Sequence, residues 1–295
     1  MKTASIEVES RPRVLADFAE LVKARLTLLV LLTTAVGFYL GARGPVQLLA
    51  FFHVMFGTAL AAAGAAALNQ WWERQLDALM HRTRERPIPA GRLSPRDALM
   101  LGSVLSISGV LYLAAACNLL CAVLAAITIV LYILAYTPLK RISTANTLIG
   151  AIPGAIPPMI GWVAAAGALE LGAWSLFAIL FFWQMPHFFA LSWMYRSDYA
   201  RAGFEMISKD DESGARSSSQ SVWFCMLLLM ISGIPFYIRL TSAWYLACAL
   251  VLGVLFIAMA MRFHGRRTAK AARNLFVASI LYLPLLLLAL VLTKA

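Results

Sequence analysis

Long apolar stretches alternate with short polar breaks along almost the whole sequence. Nine of these stretches are each close to the roughly 20 residues that a helix needs to cross a bilayer. No polar region is long enough to form a separate soluble domain. The pattern therefore predicts an all-α, polytopic membrane protein whose helices form a bundle around a central cavity. The predicted spans cover residues 26–43, 46–68, 98–116, 119–138, 145–166, 173–194, 220–238, 242–262 and 275–293.

The charged residues fall almost entirely on one side of these nine spans. Of the 25 Lys and Arg residues, 22 lie in the N-terminal segment or in the breaks after the even-numbered spans, and 13 of the 14 acids lie there too. Basic loops mark the cytoplasmic side of a membrane protein. We therefore expect a cytoplasmic tail at 1–25, a single transmembrane domain at 26–295, a cavity open to the cytoplasm and a C-terminus outside. The four exceptions are Arg43, Glu170, Arg239 and Lys294.

Composition supports this interpretation. The chain is 61% hydrophobic and only 13% charged, whereas soluble domains average about 25% charged residues. A net charge of +11 would indicate nucleic acid in a soluble protein, but the sidedness of the charges explains it here, so no nucleic-acid partner is expected. The four cysteines lie in or beside apolar stretches without a metal-binding spacing, and we interpret them as small buried hydrophobic residues.

The densest polar chemistry follows the second span, in NQWWERQLDALMHRTRERPIPAGR. Asn69, Glu73 and Asp77 recur every four residues, which places an amide and two carboxylates on one helix face. Arg82 and Arg86 follow within ten residues. Carboxylates bind Mg²⁺ and guanidinium groups bind phosphate oxygens, so this pattern favours a metal-bridged phosphorylated ligand. The alternative is a salt-bridged helix end exposed to solvent.

Two further stretches carry polar residues at the same predicted face. The fourth span ends with Tyr136 followed by Lys140 and Arg141, and Asn146 opens the fifth span. These residues form either an interfacial belt with positive anchors or part of the same pocket as the acids. The fifth span also contains Pro153, Pro157 and Pro158, which predict a broken helix.

The sixth span carries His187 within an apolar, aromatic run, and Asp198 and Tyr199 follow it on the cytoplasmic side. A histidine within a membrane is either a functional group or one half of a helix–helix hydrogen bond. Before the first span, residues 15–22 have the spacing of a short amphipathic helix, with Lys23 and Arg25 reaching the membrane surface. The polar segment KDDESGARSSSQS before the seventh span is expected to be mobile.

These motifs together resemble the UbiA-type intramembrane prenyltransferase superfamily. Its pattern N-x-x-x-D-x-x-x-D, then M-x-R-T-x-x-R-P and a Gly, is matched in order, with Glu73 in place of the first Asp. YTPLKRISTANTLIGAIPGAIPPMIGW and WQMPHFFALSWMYRSDYARAG resemble its haem-farnesylating branch, the protohaem IX farnesyltransferases (haem O synthases). The second acidic motif of the superfamily is half present, since Asp198 is followed by Ala202. Asp210 or Asp211 could take the place of the absent acid.

The resemblance implies transfer of farnesyl from farnesyl diphosphate to a vinyl group of haem b in a bacterial inner membrane. It implies Mg²⁺ bound by the acidic motifs, a diphosphate held by basic residues and haem addressed by His187. It also implies a downstream haem A synthase or terminal oxidase assembly as the recipient of the product. The implied metal ligands and catalytic residues are Asn69, Glu73, Asp77 and Asp198; the implied substrate-binding residues are Arg82, Arg86, Tyr136, Lys140, Arg141, Asn146, His187 and Tyr199.

Three alternatives stay open from the sequence. A sister prenyltransferase would use a quinone precursor or another aromatic acceptor, and the block around His187 favours haem over it. A transporter would need ionisable groups deep within the spans, whereas nearly all charges here lie at one face. A haem-binding assembly protein would not need the motif of acids and arginines.

Overall fold

The computed structural model describes residues 14–295, and within that range the fold is helical, with one isolated β-bridge between Thr241 and Lys294. Within residues 14–295, nine helices or consecutive helical segments are long and apolar enough to cross a membrane. The elements in chain order are α1 Val14–Leu21, α2 Ala24–Gly41, α3 Leu48–Asp77, α4 Pro95–Ala116, α5 Leu119–Val130, a π-helical segment Leu131–Tyr136, α6 Thr137–Leu139, α7 Asn146–Ala155, α8 Pro157–Ala166, α9 Leu171–Met194, α10 Arg196–Arg201, α11 Ala215–Ile231, α12 Ile234–Tyr237, α13 Ala243–Arg266 and α14 Ala269–Leu292.

All nine predicted spans are confirmed, but several helices extend further at the basic face. Hydropathy marks only the apolar part of a helix, and the helical backbone continues until its end groups find partners. The second predicted span ended at residue 68, whereas α3 continues to Asp77. Ser94 and Thr268 begin α4 and α14 by accepting from the backbone N–H groups of Arg96 and Ala271 at 3.2 Å. The extension of α3 carries the whole acidic motif on a rigid helix.

Small residues bring the helix backbones close together. A methyl group added at Gly37 would collide with the backbone carbonyl of Pro158, and one added at Gly161 would collide with that of Thr34. Helices α2 and α8 therefore pack backbone against backbone. The same happens between α3 and α4, where Gly64 lies against Ser106. Lipid offers no hydrophobic driving force between helices, so close packing of this kind stabilises the bundle.

The fourth and fifth spans are irregular near the basic face. The prolines divide the fifth span into α7 and α8 at Ile156, as the sequence predicts. The fourth span widens into the π-helical segment before α6. Pro138 lacks the N–H that would continue the α-helical pattern, which accounts for the wider turn. A buried Gln184 side chain donates to Ala151 O at 3.1 Å and so supports the irregular α7.

The four charges that break the sidedness rule all lie at the opposite end of the bundle. Arg43, Glu170, Arg239 and Lys294 line one cavity of about 610 Å³ there. Arg43 pairs with Glu170, and Lys294 Nζ donates to the carbonyls of Tyr39 and Ala42 at 2.7 and 2.6 Å. These contacts satisfy the last carbonyls of α2 and tie the C-terminal residues to it. A cavity open towards the basic face stays a prediction.

The polar segment before the seventh span differs from its prediction. It was expected to be mobile, but it forms a series of turns that leads into α11, and Ser217 and Ser218 are fully buried. Asp211 begins this helix by accepting from the backbone N–H groups of Arg216 and Ser217 at 3.2 and 2.7 Å. Its carboxylate therefore caps α11, and the suggestion that Asp210 or Asp211 takes the place of the absent acid stays a prediction.

The contact between α2 and α8 generates a stability prediction. Gly161→Ala should destabilise the protein by about 1–3 kcal/mol, because its methyl group meets backbone that cannot move without shifting a helix. The matched control is Gly265→Ala in α13, where an added methyl meets nothing. Thermal unfolding of the purified variants in one detergent measures both. An unfolding temperature for Gly161→Ala equal to that of the control would contradict the predicted packing.

Candidate active site

The acidic motif lies on the last two turns of α3 and faces the protein interior. Asn69, Glu73 and Asp77 are 1%, 4% and 1% exposed. Their four-residue spacing stacks them along one face, as the sequence predicts. The Asn69 amide is oriented by donation from its Nδ2 to Thr137 Oγ1 at 3.2 Å. The alternative interpretation required exposure to solvent, which these three buried side chains do not have.

Each of these three side chains has one cationic neighbour, and each neighbour comes from a different segment. The contacts are Lys23 Nζ to Asn69 Oδ1, Lys140 Nζ to Glu73 Oε1 and Arg86 Nη1 to Asp77 Oδ2, all at 2.6 Å. Burying an unpaired carboxylate is costly, so the two acids require cations nearby. The result is a row of oxygen acceptors interleaved with positive charges.

Lys23 is the functional candidate that sequence reasoning missed. Instead of reaching the membrane surface, it lies between α1 and α2 with a φ of 47° and points inward. Helix α1 is held in place by Gln70 Nε2, which donates to the carbonyls of Glu20 and Leu21 at 2.7 and 2.9 Å. The buried Leu21 confirms a short helix before the first span. The available signal was a lysine immediately before an apolar stretch, which is also the signal of an ordinary membrane anchor.

The pKa values of Lys23 and Lys140 are shifted in opposite directions. Burial, together with the nearby Arg86 and Lys140 charges, lowers the pKa of Lys23 to about 7 against the opposing effect of Glu73. Burial alone would also lower the pKa of Lys140, but the adjacent Glu73 carboxylate outweighs it, and the pKa of Lys140 lies above its ordinary value. Lys140 thus stays charged at neutral pH, whereas Lys23 loses its proton as the pH rises through about 7.

The π-helical segment positions two tyrosines beside this cluster. Tyr132 and Tyr136 stack with ring centroids 5.6 Å apart, and Lys140 Nζ lies 4.5 Å from the Tyr136 ring centroid. Gly150 leaves room for the Tyr136 ring, because a methyl group there would overlap it. The interpretation that placed Tyr136 and Lys140 in the pocket is favoured by these contacts. Arg141 is exposed and has no contact with the acidic cluster.

A second group of candidates lies opposite α3, on α9, α10 and the turn that follows. Asp198 is 8% exposed and its carboxylate lies 3.4 Å from Arg201. Arg82 reaches across from the loop after α3, where its Nη2 lies 3.4 Å from Tyr199 OH and its guanidinium lies over the Tyr199 ring. Arg82 and Tyr199 therefore connect the two acidic regions.

Asn146 is fully buried, its Oδ1 accepts from Thr147 Oγ1 at 3.2 Å, and its Nδ2 donates to backbone carbonyls. Its Nδ2 donates to Ser143 O at 2.7 Å and to Glu205 O at 2.6 Å. It therefore fixes the turn after α10 against the start of α7, and the structure favours a positioning role over direct substrate contact.

The acidic side chains offer oxygen ligands that a divalent cation could use. Among residues 14–295, no three or more His, Cys, Asp or Glu side chains lie close enough together to hold a metal. Asp77 Oδ1, however, is a buried carboxylate oxygen without any hydrogen-bond partner. An acceptor of this kind is costly to bury and suits a hard cation that binds oxygen. Asp77 therefore fits such an ion, and Asp198 does not join Glu73 and Asp77 in a group of three acids.

His187 forms a separate site between α9 and α14. Its Nδ1 lies 2.7 Å from Ser279 Oγ, and its ring stacks on Trp183 with centroids 5.2 Å apart. Phe276 flanks the ring at 4.7 Å. The helix–helix hydrogen bond considered from the sequence is thus present, but it uses only one of the two ring nitrogens.

Comparison with known proteins identifies the family. The model of the UbiA prenyltransferase family matches residues 30–289. A relative from Opitutus terrae, named protoheme IX farnesyltransferase, is 44% identical over 280 residues, covering 95% of each chain. The structure of a digeranylgeranylglyceryl phosphate synthase superposes with a TM-score of 0.80 at 16% identity and covers 95% of this chain and 98% of its own.

A second solved structure is a UbiA homologue from Archaeoglobus fulgidus bound to GPP and Mg²⁺, with a TM-score of 0.67 and 16% identity. It covers 93% of this chain and 99% of its own. At these identities the two structures establish the fold, and the family match and the Opitutus relative establish the kinship. The chain belongs to the UbiA prenyltransferase family.

Proposed function

We propose that this protein transfers a farnesyl group from farnesyl diphosphate to a vinyl group of haem b and so forms hydroxyethylfarnesyl haem, haem O. The observation that carries the proposal is the row of buried acids interleaved with cations along α3. A metal–diphosphate pair needs both signs of charge within one site. The acceptor and the prenyl length follow the name of the Opitutus relative.

The acids are the metal ligands of this proposal. Asn69, Glu73 and Asp77 would hold Mg²⁺, with Asp198 approaching from the opposite side, and the free Asp77 Oδ1 is the best-prepared ligand atom. When bound, the ion would neutralise negative charge on the diphosphate. The Mg²⁺ bound with GPP in the Archaeoglobus structure supports this assignment.

The cations are the diphosphate ligands. Arg86 and Lys140 already lie 2.6 Å from acidic oxygens and so border the metal site, and Arg82 lies in the same loop as Arg86 and contacts Tyr199. Lys23 adds a fourth positive group from the start of α2. As the bond between the allylic carbon and oxygen breaks, its electron pair stays with the diphosphate, and these cations stabilise that charge. The exposed Arg141 is omitted from this set.

After the diphosphate leaves, the allylic cation must first be protected from water, and water must then add to the product of its reaction with the vinyl group. The allylic cation must meet the vinyl carbon before it meets solvent, and the stacked aromatic rings of the half-buried Tyr132 and Tyr136 favour that order. Attack by the vinyl π electrons forms the new carbon–carbon bond and moves the positive charge onto the carbon attached to the porphyrin. Water adds there, loses a proton and leaves the hydroxyl group.

His187 addresses the haem in this scheme. It lies seven residues before the end of α9, which is about 10 Å along the helix, and Asp198 follows four residues beyond that end. A flat ligand the size of a porphyrin can bridge that separation. The basic residues that do not bind diphosphate are available for the haem propionates.

The bacterial inner membrane is the proposed location, with the active site facing the cytoplasm, because the described basic loops share the face of the acidic motif. The polyprenyl tail would enter from the bilayer. A haem A synthase or a terminal oxidase assembly is the proposed recipient of the product.

The decisive experiment is mass spectrometry of haem after incubating the purified protein with haem b, farnesyl diphosphate and Mg²⁺. The expected product carries one hydroxyl and one farnesyl group and is absent when the metal is chelated. Release of diphosphate with unchanged haem would reject haem as acceptor. A quinone precursor such as an aromatic acid would then be the next acceptor to assay.

Asp77→Asn should lower turnover by about 10²–10³-fold, because it removes the charge of the motif carboxylate that has a buried oxygen without a hydrogen-bond partner. Initial rates of product formation at saturating farnesyl diphosphate measure this loss. Asp97→Asn, an exposed acid at the start of α4, is the matched control and should retain normal rates. Equal rates for both variants would remove Asp77 from the proposed metal site.

The low pKa of Lys23 predicts a pH effect on substrate binding. Lys23 is positively charged below its pKa of about 7 and becomes neutral above it. If it binds diphosphate, the KM for farnesyl diphosphate should rise as the pH passes upward through that value. Lys23→Arg keeps its charge throughout, so its KM should depend less on pH than that of the wild type. Parallel pH profiles for the two proteins would exclude Lys23 as a diphosphate ligand.

A further inference from the structure

We infer that Ser279 is a positioning residue that holds His187 with its proton on Nδ1, so that Nε2 is the atom that ligates the haem iron. The inference deepens the proposed function and rests on it, because haem is the ligand concerned. It settles from hydrogen-bond geometry which nitrogen faces the substrate. It also assigns a role to α14, which the acidic site does not use.

The Ser279 hydroxyl group has a single hydrogen and two close neighbours. Ser279 Oγ lies 2.6 Å from Phe276 O and 2.7 Å from His187 Nδ1. A carbonyl oxygen can only accept, so without a hydrogen between them two acceptor oxygens would lie 2.6 Å apart and repel each other. The hydroxyl hydrogen therefore points to Phe276 O, and Ser279 Oγ accepts from His187.

This contact determines the tautomer of the His187 imidazole. A neutral imidazole carries one hydrogen, and donation to Ser279 places it on Nδ1. Nε2 is then left with an exposed lone pair, which is the form that binds a metal. Among residues 14–295 Nε2 has no hydrogen-bond partner. It is also not fully enclosed by the protein. Protein atoms therefore do not seal it.

The neighbours of the His187 ring hold it in a fixed orientation. Trp183 Nε1 donates to the backbone carbonyl of Ser279 at 2.8 Å, while the Trp183 ring stacks on His187. Phe276 flanks the imidazole and belongs to the same helix as Ser279, which is fully buried. The ring is thus clamped between α9 and α14 in one orientation. Histidines that bind metals usually donate their other N–H to a fixed acceptor, and loss of that acceptor lowers metal affinity by about 10–100-fold.

The test is a titration of the purified, full-length protein with haem b, followed by its absorption and electron paramagnetic resonance spectra. The wild type should give the signature of histidine-ligated iron. His187→Gly should lose it and regain it when free imidazole is added. Ser279→Ala should bind haem about 10-fold more weakly and show an altered ligand signature, and Ser279→Thr, which restores the hydroxyl, should recover both.

Two controls separate positioning from a merely structural effect. Ser232→Ala removes another fully buried serine hydroxyl, one that contacts Tyr282 on the same helix α14, and should leave the haem spectrum unchanged. In a His187→Ala background, Ser279→Ala should cause no further loss of haem affinity, because its effect acts through the imidazole. Binding of farnesyl diphosphate by each variant verifies that the acidic site is folded.

The outcomes distinguish the two proposals. Wild-type haem affinity and spectrum in Ser279→Ala would overturn the role of Ser279 while leaving haem as the substrate. An additional loss in the His187→Ala background would also overturn it. If the wild type turned over farnesyl diphosphate yet bound no haem, the proposed acceptor and this inference would both fail.

Discussion

Charge pairing along the end of α3 is the interaction on which the site depends. Two carboxylates lie almost completely buried there, and a buried carboxylate without a partner is unstable. Lys140 and Arg86 supply the partners for Glu73 and Asp77, and Lys23 supplies a donor for Asn69. Because these cations come from three separate segments, neutralising the acids also fixes the start of α2, the segment after α6 and the loop after α3 around one point. The same alternation of charge would bind a metal and a diphosphate, so stability and chemistry use one arrangement.

The surrounding helices are rigid where they hold this arrangement and irregular where they aim side chains into it. Close backbone contacts between α2 and α8, and between α3 and α4, leave little freedom for the elements that carry Lys23 and the acids. The π-helical segment rotates the end of the fourth span, which brings Tyr136 and Lys140 together beside Glu73. Irregular turns of this kind are frequent at functional sites, and here Pro138 provides the local cause.

Features fixed by periodicity could be predicted from the sequence, whereas features fixed by tertiary contact could not. The nine spans follow from hydropathy, and the shared face of Asn69, Glu73 and Asp77 follows from helical spacing. Lys23 was assigned to the membrane surface because the sequence does not distinguish a lysine that anchors a helix at the surface from one that points into the protein. Its inward direction depends on a left-handed backbone conformation at that residue. Arg141 and Lys140 are adjacent and chemically similar, yet only the structure shows which one faces the acids. Ser279 gave no signal, since its role exists only across two helices.

The proposed reaction explains why the two sites are separate. The diphosphate site must be strongly polar to release its leaving group, while an allylic cation survives only where water is scarce. A single pocket cannot satisfy both needs, but adjoining regions can. The charged region lies at the ends of α3 and α10, and the His187 region lies deeper between α9 and α14 among aromatic rings. Haem held there through its iron would present its edge, where the vinyl groups are, rather than its face. The position of one histidine along α9 would then decide which acceptor reaches the cation, and a family member with another acceptor could keep the α3 charges while changing this helix pair.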